Sequence, residues 1–276
     1  MAATIGTNVN SLTAQRNLST SQMSLATSMA RLSSGLRVNS AKDDSAGLAI
    51  AERMNAQVKG MNVAIRNAGD AISLSQTAEG ALGAVSEALQ RMRELSVQSS
   101  NATNSAGDRT NLDAEFGQLK AEVTRVLTGT QFNGTAVLGA AATLAFQVGA
   151  NNSANDTISV TTTNLNTGAG VSAVVAGGIT TAALSLTAIT NLDTAISEIT
   201  TARATFGAVQ NRFESVISSI SVNAENTAAS RGRIVDADFA AETANLSRSN
   251  VLQQAGMAMV AQANAGPNGV LALLRG

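Results

Sequence analysis

The 276-residue chain has no cysteine, histidine, tryptophan or tyrosine. Without cysteine there is no disulfide, no thiolate nucleophile and no cysteine-held metal. Without histidine the usual general base near neutral pH and the commonest metal ligand are also missing. Aromatic residues are 2% of the chain, too few for an aromatic ligand platform. Charged residues are 13%, about half the share usual in globular proteins. The net charge is −1, and no basic face of the kind that binds nucleic acid is evident. No run of about 18 apolar residues is present to insert in a membrane. The start of the chain does not read as a cleaved signal peptide, because Asn8, Asn10, Ser11, Thr13 and Gln15 interrupt its apolar residues. The expectation is a chain with no catalytic, cofactor or metal residues, either cytoplasmic or exported by a route that reads some other signal.

What the sequence does carry is helical periodicity. From Leu192 to Thr227, steps of four and three fall on Leu192, Ile196, Ile199, Arg203, Phe206, Gln210, Phe213, Ile217, Ile220, Ala224 and Thr227. A repeat averaging 3.5 residues keeps one stripe of a helix against a partner, which is the pattern of coiled-coil packing. Such a rod would be roughly 54 Å long. The alternative is an ordinary long helix in a globular bundle. A second run from Leu48 to Leu95 places Met54, Val58, Met61, Ile65, Ala68 and Ile72 on one stripe. It continues through Leu82, Val85, Leu89 and Met92 after a phase slip. A third, capped by Asp108, carries Leu112, Phe116, Leu119, Val123 and Val126. Rods of one period can close a shared core.

Between Thr128 and Thr190 the only charge is Asp156. Leu144, Phe146 and Val148, and then Ile158 and Val160, alternate with small or polar residues, which is the period of a half-buried strand. Gln131-Phe132-Asn133-Gly134 and Gly149-Ala150-Asn151-Asn152 read as turns. A small β-hairpin module is expected here, with a flexible linker as the competing reading.

The two ends resemble each other. Residues 4–36 read as helix, with Leu25, Met29, Leu32 and Leu36 in four-three spacing and a face of Ser, Thr, Asn and Gln instead of charge. Asp43, Asp44 and Ser45 read as the cap of the next helix, with ion pairing to Arg37 or Lys42, in preference to acid–base chemistry. The final run, Asp238 to Ala265, carries Leu252 and Met259 among many Ala and Gln, and Pro267 is expected to end it. The apolar tail Val270, Leu271, Leu273 and Leu274 follows. Neither end can bury its surface as a lone helix, and large open apolar faces mark an assembly interface. Contacts of this kind that do not close into a ring propagate as a helical filament.

Several motifs carry a resemblance. The stretch from Arg31-Leu32-Ser33-Ser34-Gly35-Leu36-Arg37-Val38-Asn39-Ser40 to Ala41-Lys42-Asp43-Asp44-Ser45-Ala46-Gly47 resembles the N-terminal signature of bacterial flagellins. So do Leu89-Gln90-Arg91-Met92-Arg93-Glu94-Leu95-Ser96-Val97-Gln98 and the Gln131-Phe132-Asn133-Gly134 turn. Leu252-Gln253-Gln254-Ala255-Gly256, Ala261-Gln262-Ala263-Asn264 and Val270-Leu271-Ala272-Leu273-Leu274-Arg275 resemble the flagellin C-terminus. The match covers roughly 1–138 and 190–276, and the middle carries no resemblance of this kind.

The resemblance implies a mainly α fold of long coiled-coil helical hairpins, built from N- and C-terminal segments with a small β-hairpin-rich insert. The implied division is 1–43 and 236–276 as an inner filament layer, 44–138 and 190–235 as an outer helical domain, and 139–189 as a short surface insert. It implies a structural subunit of the extracellular flagellar filament, secreted unfolded by type III export, with a hook–filament junction protein of the same appendage as the alternative. Leu25, Met29, Leu32, Leu36, Leu252, Met259, Val270, Leu271, Leu273 and Leu274 are the expected assembly residues. Sister subunits, an export chaperone, and cap and hook-junction proteins are the implied partners. A flagellin-sensing Toll-like receptor of animals is a further implied partner, with Gln90, Arg91, Glu94, Leu95, Gln98 and Glu115 at the matching positions. In a filament that stretch would otherwise serve subunit packing.

Overall fold

A computed structural model describes the backbone of residues 7–275 and the side chains of residues 7–266. Residues 4–6 of the first expected helix and the side chains of Val270, Leu271, Leu273 and Leu274 lie outside the described residues. The chain forms two compact units, one from residues 57–225 and one from residues 1–56 with 226–276.

In chain order the elements are α1 (Val9–Ser34), α2 (Ser45–Ser100) and α3 (Ala106–Gly129), then β1 (Gln131–Phe132), β2 (Thr135–Ala136), β3 (Ala142–Gln147) and β4 (Thr157–Thr162). They are followed by α4 (Ala169–Ala176), α5 (Ala182–Val235) and α6 (Phe239–Arg275).

In the 57–225 unit, α2 buries one uninterrupted heptad stripe. Its stations are Ala64, Ala68, Ala71, Ser75, Ala78, Leu82, Val85, Leu89, Met92, Ser96 and Ser99, none more than 1% exposed. The expected phase slip is therefore absent. The larger Met61, Ile65 and Ile72 flank this stripe and are only partly buried. On α5, Leu192, Ile199, Phe206, Phe213 and Ile220 are buried as expected. The intervening stations are corrected: Ala195 is fully buried, while Arg203 is exposed. The expected stripe let a long polar residue stand where the neighbouring alanines, Ala195 and Ala202, give closer approach. Arg203 and Gln210 instead turn to the flank, where Gln210 donates to Glu79 on α2 at 2.9 Å and Arg203 lies 3.9 Å from it. Arg93 pairs with Asp193 at 2.7 Å, so α2 and α5 run antiparallel. Helix α5 also starts ten residues before Leu192.

Ser105, not Asp108, is the N-cap of α3. Its hydroxyl accepts from Asp108 N–H, while the Asp108 carboxylate accepts from Ser105 N–H, a reciprocal capping box. Asn133 and Gly134 both have positive φ, 49° and 78°, the mirror-image turn that suits the twist of the β1–β2 hairpin. Strands β3 and β4 pair antiparallel with Leu144 opposite Val160 and Phe146 opposite Ile158. The Phe146 ring meets Phe213 edge to face at 5.7 Å, which sets the hairpin on α5.

The region 139–189 is thus docked on helices. Helix α4, absent from the sequence-based expectation, has its first N–H groups capped from α5: Gly170 and Val171 donate to Glu198 at 2.9 and 3.3 Å. Asp113 accepts from Ile179 N–H at 2.7 Å, and Lys120 donates to Gly177 O at 3.0 Å. A Cβ at Gly170 would sit 2.4 Å from Ala195 N, so α4 and α5 meet backbone to backbone. Gly170→Ala is expected to lower the stability of this unit by about 1–3 kcal/mol, read as a lower urea midpoint. An unchanged midpoint would mean that α4 rides outward at no cost.

In the unit of residues 1–56 and 226–276, α1 lies antiparallel to α6: Asn8 meets Ala263, and Arg31 meets Glu242. The connections after α1 and before α6 are laced together. Arg37 and Val38 N–H both donate to Val235 O, and Ala237 N–H donates to Gly35 O. Val38, Ala51 and Val235 form a small core there, with Leu36 packed on it. Gly35 takes φ 72°, a left-handed helix stop that favours glycine. Pro267 does not end the last helix as expected, since α6 continues to Arg275. The carbonyl that loses its partner at a helical proline is that of Ala263, and the Asn8 side chain supplies a donor to it.

Candidate assembly surface

Two helices that were complete as a pair would place their large apolar residues between them. The α1–α6 pair does so only in part, with Leu18, Leu25, Leu32 and Leu246 half-buried along it. Among the described residues, those fully buried there are Ser11, Ser28, Ser249 and Glu242. Gly256 lets α6 approach closely, since a Cβ on it would come 3.1 Å from Leu18 Cδ1. Val9, Leu12, Met23 and Met29 on α1, and Phe239, Val251, Leu252, Met257 and Met259 on α6, are each half or more exposed. Open grooves run along the pair, one of about 630 Å³ lined by Ala14, Leu18, Leu252, Gly256 and Met259 among others.

Of the expected assembly residues, Met29, Leu252 and Met259 face outward and Leu25 and Leu32 are half-buried. Leu36 is half-buried against the Val38 core, so it holds the connection between α1 and α2. The buried polar seam went unforeseen. Its one legible signal was the neutral polar face of α1, since hydroxyls spaced along a helix can pack where charges cannot.

Charge at this end is used locally. Asp43 Oδ2 accepts from Ser40 N–H at 2.9 Å, Ser40 Oγ at 3.0 Å and Asn39 N–H at 3.2 Å. Asp44 Oδ1 accepts from Gly47 N–H at 2.7 Å, capping α2. The expected ion pairs with Arg37 or Lys42 do not form among the described residues, because Arg37 turns to Ile234 O instead. The Ser40 hydroxyl, then the Ser40 and Asn39 N–H groups, hold the Asp43 carboxyl below its ordinary 3.8. A depressed folded value means that the loop's stabilisation is complete above the unfolded value and is lost as pH falls through the folded one. Titration of the Asp43 carboxyl by NMR should therefore give a midpoint below 3.8. Ser40→Ala should raise it, and a midpoint indifferent to that change would remove the hydroxyl as the cause.

The second expected site lies in the 57–225 unit. Gln90, Arg91, Glu94 and Gln98 on α2 are exposed, as is Glu115 on α3. Arg91 bridges Glu94 at 2.9 Å and Glu115 at 2.8 Å. The hydrogen bonds that Arg91 donates to Glu94 and then to Glu115 push its guanidinium further above its ordinary value. Leu95 is corrected: at 1% exposed it belongs to the core and offers no surface contact. It lies beside the Ser96 station, on the flank of the buried α2 stripe.

A pair of chain ends with a small, polar seam and outward apolar faces, in one chain with a helical unit carrying β-hairpins, defines a self-assembling structural subunit. The comparisons agree. The bacterial flagellin N-terminal helical region matches residues 5–143, and the bacterial flagellin C-terminal helical region matches residues 189–274. The chain belongs to the bacterial flagellin family, a family of structural proteins. It is 43% identical over 272 residues to a flagellin of Halalkalibacterium halodurans, covering 98% of this chain and 99% of the relative. It is 38% identical over 287 residues to the flagellar filament 33 kDa core protein of Treponema phagedenis, at 98% and 99% coverage. The crystal structure of a Bacillus cereus flagellin superposes with a TM-score of 0.51 at 34% identity, over 60% of this chain and 94% of that one. A putative flagellar hook-associated protein of Vibrio parahaemolyticus shares the fold, with a TM-score of 0.57 at 15% identity over 70% of this chain and 100% of that one. No helix among the described residues is long and apolar enough to cross a membrane.

Proposed function

We infer that the chain is a structural subunit of the extracellular bacterial flagellar filament, polymerising through the outward apolar faces of its terminal helices. The observation that carries this is the uncovered apolar surface of the pair: Met29, Leu252, Met259 and their neighbours are exposed, while the fully buried seam residues described are three serines and Glu242. Sister chains cover those faces. Contacts between unlike faces then repeat along a helix without closing. In this reading 1–43 and 236–276 build the inner layer, 44–138 and 190–235 the outer helical layer, and 139–189 the surface. The role is mechanical, in keeping with a chain without histidine or cysteine. The export chaperone, cap and hook-junction proteins meet the same terminal helices before or at the ends of the polymer. Purified chain added to filament seeds should grow long filaments. Growth that stops at short adaptors would instead favour the junction-type alternative.

The exposed group Gln90, Arg91, Glu94, Gln98 and Glu115 supports a second role, recognition by the animal flagellin-sensing Toll-like receptor. Arg91 sits already oriented by two carboxylates, so little side-chain freedom remains to be lost on docking. Arg91→Ala should weaken the receptor response by about tenfold or more with helix content unchanged. An undiminished response would remove this patch from the contact.

A further inference from the structure

We propose that Asn8 is a positioning residue that fixes the register of the two chain ends by donating to the one α6 carbonyl that Pro267 leaves without its backbone partner. In an α-helix the carbonyl of residue 263 accepts from the N–H of residue 267. Pro267 has no N–H, so Ala263 O lacks its regular intrahelical donor four residues on. Asn8 Nδ2 donates to that oxygen at 2.7 Å. The same side chain serves α1, because Asn8 Oδ1 accepts from Ser11 N–H at 3.0 Å as the N-cap. One amide thus completes the start of one helix and the interrupted ladder of the other.

A second contact lies beside it. Ser11, which is buried, donates from Oγ to Asn264 Oδ1 at 2.7 Å and accepts from Gln15 Nε2 at 3.3 Å. These bonds matter because the leucines along the seam, Leu18, Leu25, Leu32 and Leu246, are only half-buried and so fix a register less firmly than fully interlocked side chains would. A slip of one turn, about 5.4 Å, would leave Ala263 O without a donor and part Ser11 from Asn264. The logic is that of a single polar residue setting the alignment of a coiled coil. Each end brings half of the lock, the amide on α1 and the vacant carbonyl on α6, so neither end is complete alone.

This inference rests on the filament reading, and one experiment separates the two. The critical concentration for growth on seeds is measured for the full chain, N8S, P267A and N8S/P267A. Serine keeps the N-cap but is too short to reach α6. In P267A the backbone N–H restored at position 267 satisfies Ala263 O from within the helix. N8S alone should raise the critical concentration about tenfold, as for an acceptor left without a donor. N8S/P267A should lie within about twofold of P267A, because the vacancy that Asn8 fills no longer exists. An equal N8S penalty in both backgrounds, or none in the parent, overturns the lock and leaves the filament reading standing. Failure of the parent chain to grow on seeds overturns the filament reading itself and the lock with it.

Discussion

Leu252→Lys combined with Met259→Lys is expected to raise the concentration of chain needed for filament growth by at least about a hundredfold. Both side chains are half or more exposed in the single chain, so they contribute little to its own folding. Covered by a sister subunit, each would contribute roughly half of the ~1.5–3 kcal/mol of full burial, since part of its surface is covered already. Losing two of them gives about 1.5–3 kcal/mol, and a hundredfold change in affinity corresponds to about 2.8 kcal/mol. An ammonium in a closed interface adds a desolvation cost on top. The helix itself should tolerate the change, since lysine is a good helix former. The thermal melt of the 57–225 unit should be unchanged, because neither residue belongs to it. Alanine at the same two positions should produce a smaller defect in the same direction. Normal growth of the lysine variant would show that this face stays open in the polymer, and the assembly surface described above would be misplaced.

The second large effect lies in the rod core. Phe213→Ala should lower the stability of the 57–225 unit by about 3–5 kcal/mol. Phe213 is fully buried on the α5 stripe and also receives the edge of Phe146. Removing it opens a cavity and detaches the β3–β4 hairpin from its seat. Domains have only about 5–15 kcal/mol to lose, so the midpoint of thermal unfolding should fall by about 10 °C or more. Phe213→Leu should cost far less, because most of the volume remains. Phe146→Ala should lie between them, since Phe146 is only partly buried. A Phe213→Ala chain that melts with the parent would mean that the α5 stripe is not the centre of this core.

Much of this architecture was legible because leucines, isoleucines and phenylalanines mark heptads plainly. The five large stations of α5 from Leu192 to Ile220 are buried where their spacing puts them. Legibility failed where the buried residue is small. The α2 stripe runs through Ala64, Ala68, Ala71, Ser75 and Ala78, and an alanine or serine is equally at home inside or outside. The larger Ile65 and Ile72 lie on the shoulder, one residue off the stripe, and so mimic a slip in its phase. The same weakness hid the first ten residues of α5, where Ser185 and Ala188 are buried while Leu184 and Leu186 are exposed, and α4 is a short helix with only Val171 and Val174 to mark its buried side. Pro267 misled for another reason: local chemistry says stop, while a side chain from the opposite end of the chain supplies the missing bond. Around Arg91 the motif residues are exposed except Leu95, where a shared motif could not say which of its residues faces inward.

Met23, Met29, Met257 and Met259 all stand among the outward apolar residues of the terminal helices. Thioether sulfur is easily oxidised, and the sulfoxide is polar. A subunit that met peroxide before joining the polymer would arrive with wetted faces and dock poorly, whereas one already covered by its sisters would be shielded. The growing tip would then discriminate against damaged material simply by failing to hold it.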